Sequence, residues 1–471
     1  MTIDASAPVA FPADDPWLNG LFAPVADELD VGDLEVTGSL PAGLRGAFLR
    51  NGPNPAFPPI VRYHVFDGDG MIHGLTFDGE GGARYRNRFV ESRALLAERR
   101  AGHALYGGLA QFVVPDPEVV AEGGLYKNTA NTHVVRHAGR ILALMEGAGP
   151  TELRADLSTV GEYDFGGRLE GAMTAHPKVD PATGEMLFFG YSPLPPFLRF
   201  HVADASGTLV RSVDLDLPRS VMMHDFAVTE RHVIFFDLPA VFDLEAMLGG
   251  GAAVRWEPQH GARIGVLPRD ATTDEVRWTE VEPFYVFHFL NAYDDGDTVV
   301  VEGCRASRLP VSFGEEPLGE PVRPALHRWR IGTSSGSVTD EQLDDRAVDF
   351  PRVADAAAGL DNRYGYAAHL REGDDEFASF ASVVKYDRRT GDATEHVYGP
   401  HAQAGEAVFA ADPDGSAEDD GWLLNFVIDK PTGDTDVVVL DARDVSAGPV
   451  ASVRLPRRVP IGFHGSWLPE T

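Results

Sequence analysis

Cysteine is almost missing from this chain: Cys304 is the single one in 471 residues. That excludes an internal disulfide, an iron–sulfur cluster and any cysteine-rich zinc site. Its neighbours, Val299-Val300-Val301-Glu302-Gly303, read as a strand, which makes Cys304 a buried structural thiol rather than a nucleophile. Basic charge is scarce too. Lysine occurs only as Lys127, Lys178, Lys385 and Lys430, and 40 basic residues face 72 acidic ones, a formal charge of −32. This balance argues against nucleic acid as a partner and against simple electrostatic docking on anionic lipid. No run of about 18 apolar residues exists, so no membrane-spanning helix is expected. Residues 1–15 are acidic and rich in Pro and Ala, without the basic start and apolar core of a secretory signal, so a cytoplasmic protein is expected.

What is present is core material and turns. The chain is 44% hydrophobic, enough for a large core, and carries 50 Gly and 34 Pro. Short β-branched or aromatic runs at 140–145, 185–191, 232–237, 298–303, 422–428 and 436–440 are bounded by Gly, Pro, Asp or Asn and read as strands. The stretches 180–185 and 386–392 read as hairpin-type turns. Helical periodicity is confined to 91–101 and 242–248. Many short strands without a linker or composition break predict one closed all-β body over 1–471. A β-propeller fits better than a sandwich, because its inner strands all point at one axis and each delivers one ligand.

Four histidines stand out by context: Ala175-His176-Pro177, Met223-His224-Asp225, Phe287-His288-Phe289 and Phe463-His464-Gly465. Their separations of 48, 64 and 176 residues are too wide for a zinc finger or one helix turn. They meet only if the fold brings distant segments to one place. An all-imidazole set without thiolate or carboxylate favours iron-type redox chemistry over structural zinc. The other twelve histidines, His73 and His133 among them, are read as surface or satisfied-core residues. Asp67-Gly68-Asp69-Gly70 reads as a tight turn, since the twelve-residue calcium loop ending in glutamate is missing.

The motifs Phe48-Leu49-Arg50-Asn51-Gly52-Pro53-Asn54-Pro55, Phe66-Asp67-Gly68-Asp69-Gly70-Met71-Ile72-His73-Gly74, Asn128-Thr129-Ala130-Asn131-Thr132, Leu144-Met145-Glu146-Gly147 and Arg263-Ile264-Gly265-Val266-Leu267-Pro268-Arg269, together with the four histidine motifs, occur in order almost from end to end. In them the chain strongly resembles the carotenoid cleavage oxygenases, the retinal pigment epithelial membrane protein and lignostilbene dioxygenase-like enzymes. The resemblance implies a seven-bladed propeller under a dome of loops and helices. It also implies a non-haem Fe2+ held by His176, His224, His288 and His464. Three carboxylates behind the histidines map to Glu146, Asp349 and Glu406. Asp349 stands where glutamate is expected; being one methylene shorter, about 1.5 Å of reach, it requires that the backbone move inward or a water bridge. Thr132 maps near the position that crowds a vacant iron site in relatives.

The implied reaction is Fe2+-dependent cleavage of a conjugated C=C bond by O2, giving two carbonyl products, with no catalytic side chain beyond the metal centre. Hydroxystilbene-cleaving relatives carry a lysine just before the Glu146-type residue and an upstream tyrosine. Here these positions are Met145 and Leu109. An apolar pair cannot ionise a phenol, so a carotenoid or apocarotenoid polyene is the expected substrate. Stilbene cleavage, isomerase-type ester chemistry on the same scaffold, a non-catalytic binding propeller and a lactonase-like hydrolase are the alternatives. The apolar stretches 104–114 and 241–253 are read as a membrane-dipping entrance for a lipid-borne substrate.

Overall fold

Alternating apolar and polar residues, punctuated by Asp- and Gly-bearing turns, produce antiparallel strands along the whole chain. The computed structural model describes residues 10–314, 320–371, 373 and 378–470; the first nine residues of the acidic start lie outside them. The six expected strands are present, with ends displaced by a few residues, as Arg140–Leu144, Met186–Tyr191, His232–Asp237, Thr298–Ala306, Gly421–Asp429 and Thr435–Asp441. Both expected turns form by the same device. Asp180 Oδ1 accepts the N–H groups of Ala182 and Thr183, and Asp387 Oδ1 those of Arg389 and Thr390. Gly184 and Gly391 then close the turns at φ +72° and +79°, a left-handed geometry that costs glycine little.

The strands associate as antiparallel meanders. Their leading strands are, in chain order, His133–His137, Lys178–Val179, Ala227–Val228, Tyr285–Asp295, the second half of Val338–Arg352, Val408–Ala411 and Gly465–Pro469. Val338–Arg352 serves two meanders, its first half pairing with Ala325–Gly332 and its second with Tyr364–Leu370. Two sheets are sewn from both ends of the chain: Arg45–Arg50 pairs with Gly465–Pro469, and Val36–Gly38 with Pro449–Arg454. Asn51, fully buried beside that seam, donates its side-chain amide to the carbonyls of Ala130 and His133 and so ties one meander to the next.

Helices are few. Arg93–Ala101 and Leu244–Leu248 fall where periodicity placed them, capped by Ser92 and Asp243, whose side chains accept from Leu95 and Ala246 N–H. Pro117–Gly123 was not anticipated, because seven residues that bury no side chain leave no apolar stripe to read. Among the described residues no helix is long and apolar enough to cross a membrane. The core lies between sheets and is strongly aromatic, as where Trp329 stacks on Phe284 at 5.4 Å and meets Phe236 edge-on at 5.5 Å. Cys304 is buried, and burial pushes its thiol well above the usual range, the state of an inert structural cysteine.

Candidate metal centre

Seven of the eight residues singled out in the sequence sit on, or just before, the leading strand of a meander. Thr132 precedes His133–His137, His176 precedes Lys178–Val179, and His224 precedes Ala227–Val228. His288 lies within Tyr285–Asp295 and Asp349 within Val338–Arg352, while Glu406 precedes Val408–Ala411 and His464 precedes Gly465–Pro469. Glu146 lies in the turn after Arg140–Leu144. These are places where the backbone is released from regular pairing. The ladder of Tyr285–Asp295, for example, is irregular on both sides of Phe289, next to His288.

The four histidines converge and are all buried. Their Nε2 atoms follow one another at 2.9 Å from His176 to His224, 3.0 Å from His224 to His288 and 3.1 Å from His288 to His464, and all four ligand atoms lie within 4.8 Å of one another. The rings of His464 and His176 meet edge-on at 4.5 Å between centroids. Neighbouring nitrogens about 3 Å apart and at right angles about a common point would each lie about 2.1 Å from it, the length of a metal–imidazole bond.

Hydrogen bonding decides which nitrogens face inward. Nδ1 of His224 meets Glu146 Oε1, Nδ1 of His288 lies 2.7 Å from Asp349 Oδ1, and Nδ1 of His464 lies 3.0 Å from Glu406 Oε1. Ionised carboxylates accept only, so those three Nδ1 atoms carry the protons and their Nε2 atoms present lone pairs to one another. Lone pairs 3 Å apart repel unless a cation lies between them, and the donor set therefore fits a metal ion. Burial, then the neighbouring imidazoles, hold His176 and His464 well below the usual histidine range. For His224 burial, the largest influence, acts in the same direction, but Glu146 together with Asp225 and Asp349 outweighs it and raises the pKa.

Asp349 reaches His288 directly despite its short side chain, from an irregular stretch of backbone. Pairing with Tyr364–Leu370 slips between Asp349 and Arg352, and Phe350 adopts φ +50°, a left-handed conformation that costs a non-glycine residue about 1–3 kcal/mol. The contact to His288 is direct, with no bridging water needed, and the Phe350 ring stacks on His288 at 5.0 Å. Replacing Asp349 by Asn should leave the fold intact and weaken metal binding about 10- to 100-fold. A competition titration against a chelator measures this, and an unchanged affinity would show that the carboxylate charge is irrelevant.

Thr132 is placed beside the centre by its backbone, its carbonyl accepting His464 N–H at 3.1 Å. Three neighbours were missed in the sequence. Asp225 accepts Lys178 Nζ at 2.7 Å and Phe289 N–H at 2.9 Å, which ties together the segments bearing His176, His224 and His288. His133, read as a satisfied-core residue, is that, but its nitrogens lie 2.8 Å from the Ala175 carbonyl and 3.2 Å from the Gly465 carbonyl, next to two site histidines. Tyr191 donates its hydroxyl to Glu146 Oε2 at 2.8 Å. The His-Asp and Phe-Gly-Tyr contexts were visible in the sequence, but nothing in them announced these partners. By contrast His73 simply pairs with Tyr85 at 2.7 Å, and Asp69 binds Lys127 at 2.7 Å, both structural.

An all-β frame that gathers four buried imidazoles, their Nε2 atoms turned toward one another, defines a class of protein with a candidate metal site made of histidines alone. The family model described as retinal pigment epithelial membrane protein matches residues 22–469. The chain is 37% identical over 492 residues to a carotenoid 9,10(9',10')-cleavage dioxygenase of Crocus sativus, covering 96% of this chain and 89% of that protein. It is 37% identical over 514 residues to a carotenoid cleavage oxygenase of Mycobacterium tuberculosis, covering 98% of each. Among solved structures, the lignostilbene dioxygenase of Pseudomonas brassicacearum superposes with a TM-score of 0.90 at 31% identity, over 98% of this chain and 100% of that one. The apocarotenoid oxygenase of Synechocystis gives 0.85 at 29% identity, over 95% and 97%. The protein belongs to the retinal pigment epithelial membrane protein family, the carotenoid cleavage oxygenases.

Proposed function

We propose that this protein is an Fe2+-dependent dioxygenase that cleaves a conjugated C=C bond of a carotenoid or apocarotenoid. The observation that carries the proposal is the ring of four inward Nε2 atoms, an all-nitrogen set suited to ferrous iron that uses no charged ligand. Iron, when bound, supplies the activation of O2; addition of both oxygen atoms across one double bond yields two carbonyls, so atoms balance and no proton moves. The chain's residues therefore need no acid or base. His176, His224, His288 and His464 hold the metal, and Glu146, Asp349 and Glu406 hold three of the rings in one tautomer. Phe287, edge-on to His224 at 4.9 Å, and Phe350 form apolar walls that exclude water and lie flat against a polyene.

The seven meanders, each leading with a site residue, are read as a single seven-bladed propeller over 1–471, the helices and the two-stranded ribbon Ala240–Phe242 with Val254–Trp256 forming its dome. Substrate preference rests on Leu109 and Met145. Leu109 packs against the core group that contains Phe287, and Met145 adjoins Glu146, so no phenol-ionising pair is present. The lignostilbene dioxygenase likeness keeps stilbene cleavage as the second reading. Offered an apocarotenal and a hydroxystilbene in turn, the iron-loaded protein should cleave the first and turn over the second on the order of 100-fold more slowly, an expectation from the unpaired phenol. Product masses under labelled O2 check this; fast stilbene turnover with intact polyene would reverse the preference.

A cytoplasmic protein touching membranes peripherally completes the reading. The apolar stretches 104–114 and 241–253 meet where Ala253 N–H donates to the Leu109 carbonyl at 3.1 Å, and each exposes a large apolar side chain, Val114 at 60% and Leu248 at 61%. Flotation with neutral liposomes is the corresponding measurement.

A further inference from the structure

Two of the three carboxylates behind the histidines are oriented by main chain. Asp349 Oδ1 also accepts Phe350 N–H at 2.8 Å, and Glu406 Oε2 accepts Gly465 N–H at 2.9 Å. Glu146 is built differently. One oxygen takes His224 Nδ1 and the other takes the Tyr191 hydroxyl at 2.8 Å. Tyr191 closes the strand Met186–Tyr191, in the meander that His176 leads, so it reaches Glu146 from a neighbouring sheet. Its ring is braced by Phe242 at 5.6 Å and Phe189 at 6.4 Å, which leaves the hydroxyl little freedom to wander. Burial, then the Glu146 charge, push the phenol well above its usual range, so it is the donor and the carboxylate the acceptor.

A glutamate held at one oxygen rotates about its terminal bond, and the ring it supports tilts with it. Held at both oxygens, its plane is defined. We propose that Tyr191 is the positioning residue of the His224 arm: its hydroxyl anchors one oxygen of Glu146 so that the other holds His224 Nδ1–H and aims Nε2 at the metal. The inference rests on the metal-binding reading above. It makes the His224 arm the one whose carboxylate takes no peptide donor among the described residues and leans on a side chain, whereas Asp349 keeps Phe350 N–H and Glu406 keeps Gly465 N–H, with Arg352 Nη1 beside it at 3.5 Å.

Tyr191→Phe removes one oxygen and keeps the ring. Metal-stripped full-length protein and this variant are titrated with Co2+, and the visible absorption of the bound ion is recorded. The variant should bind about 10-fold more weakly, with a changed visible spectrum, while the melting temperature of the metal-free protein stays close to that of the parent. In a Glu146→Ala background the same substitution should add less than about a two-fold loss, because Tyr191 acts through Glu146. An unchanged affinity and spectrum in Tyr191→Phe overturns the inference, as does a full loss that persists without Glu146. If the parent protein shows no Co2+ binding that His224→Ala removes, the metal reading itself fails; if it does and Tyr191→Phe matches the parent, only the positioning role fails.

Discussion

His224→Ala is expected to empty the metal centre and abolish double-bond cleavage. The four Nε2 atoms lie at mutual distances set for one ion, and His224 is adjacent to both His176 and His288 in that ring. Removing it takes away one of four bonds and leaves the Glu146 carboxylate without the imidazole it supports. Loss of an orienting partner alone weakens metal sites about 10- to 100-fold, so loss of a ligand should cost on the order of 1,000-fold or more. Metal-to-protein ratio after gel filtration and the decay of polyene absorbance are the two readouts. A third follows from linkage: an ion present at about 1,000 times its Kd adds about 4 kcal/mol of stability. Heating the parent with and without Fe2+ or Co2+ should reveal that difference, and the variant should show none. Stoichiometric metal in His224→Ala would end the four-histidine interpretation. His201→Gln serves as the control, since His201 pairs with Ser212 and stacks on Phe188.

Acid should destabilise the protein steeply. Burial holds His64 at about 3, His133 at about 4 and His201 at about 4, and pushes His73 well below the ordinary value. In the unfolded chain each returns to about 6.5. Near pH 5 the unfolded chain thus binds protons that the folded one refuses, and stability falls as pH falls. Asp67, raised to about 6 by burial, acts in the opposite sense, because there the folded chain takes up a proton that the unfolded one refuses until about pH 4. Glu98, also raised by burial, offsets part of the rest. For these groups alone, a balance of about two protons corresponds to ~2.7 kcal/mol per pH unit between pH 6 and 4.5. Urea unfolding at pH 7.5, 6.0 and 5.0 measures the slope. His201→Phe, which preserves an aromatic face against Phe188, should reduce it by about one proton. A stability that is level from pH 7.5 to 5.0 would contradict this account of the buried histidines.

Much of this was legible without coordinates. The turn at 180–185 is written in an aspartate that caps its own loop and a glycine four residues on, and the strand at 232–237 in β-branched and aromatic residues. Both depend on contacts a few residues apart, so local sequence specifies them. Asp349 was legible only as a problem: its missing methylene demanded a remedy, and whether backbone or water supplied it depended on the pairing of Val338–Arg352 with Tyr364–Leu370. Tyr191, Asp225 and His133 were not legible as site residues. Each makes an ordinary hydrogen bond whose partner lies on another meander, and residue type does not encode which meander comes next.

The amino-acid sequence alone determined the chemistry on offer: one unreactive thiol, a deficit of basic charge, and histidines set among small and apolar residues where neutral imidazole is the stable form. Tertiary structure decided which of sixteen histidines share a centre and which nitrogen each presents to it. The reason is physical. A lone imidazole can carry its proton on either nitrogen, and for His224, His288 and His464 a carboxylate brought from a remote part of the chain, by the packing of one sheet on the next, removes that choice.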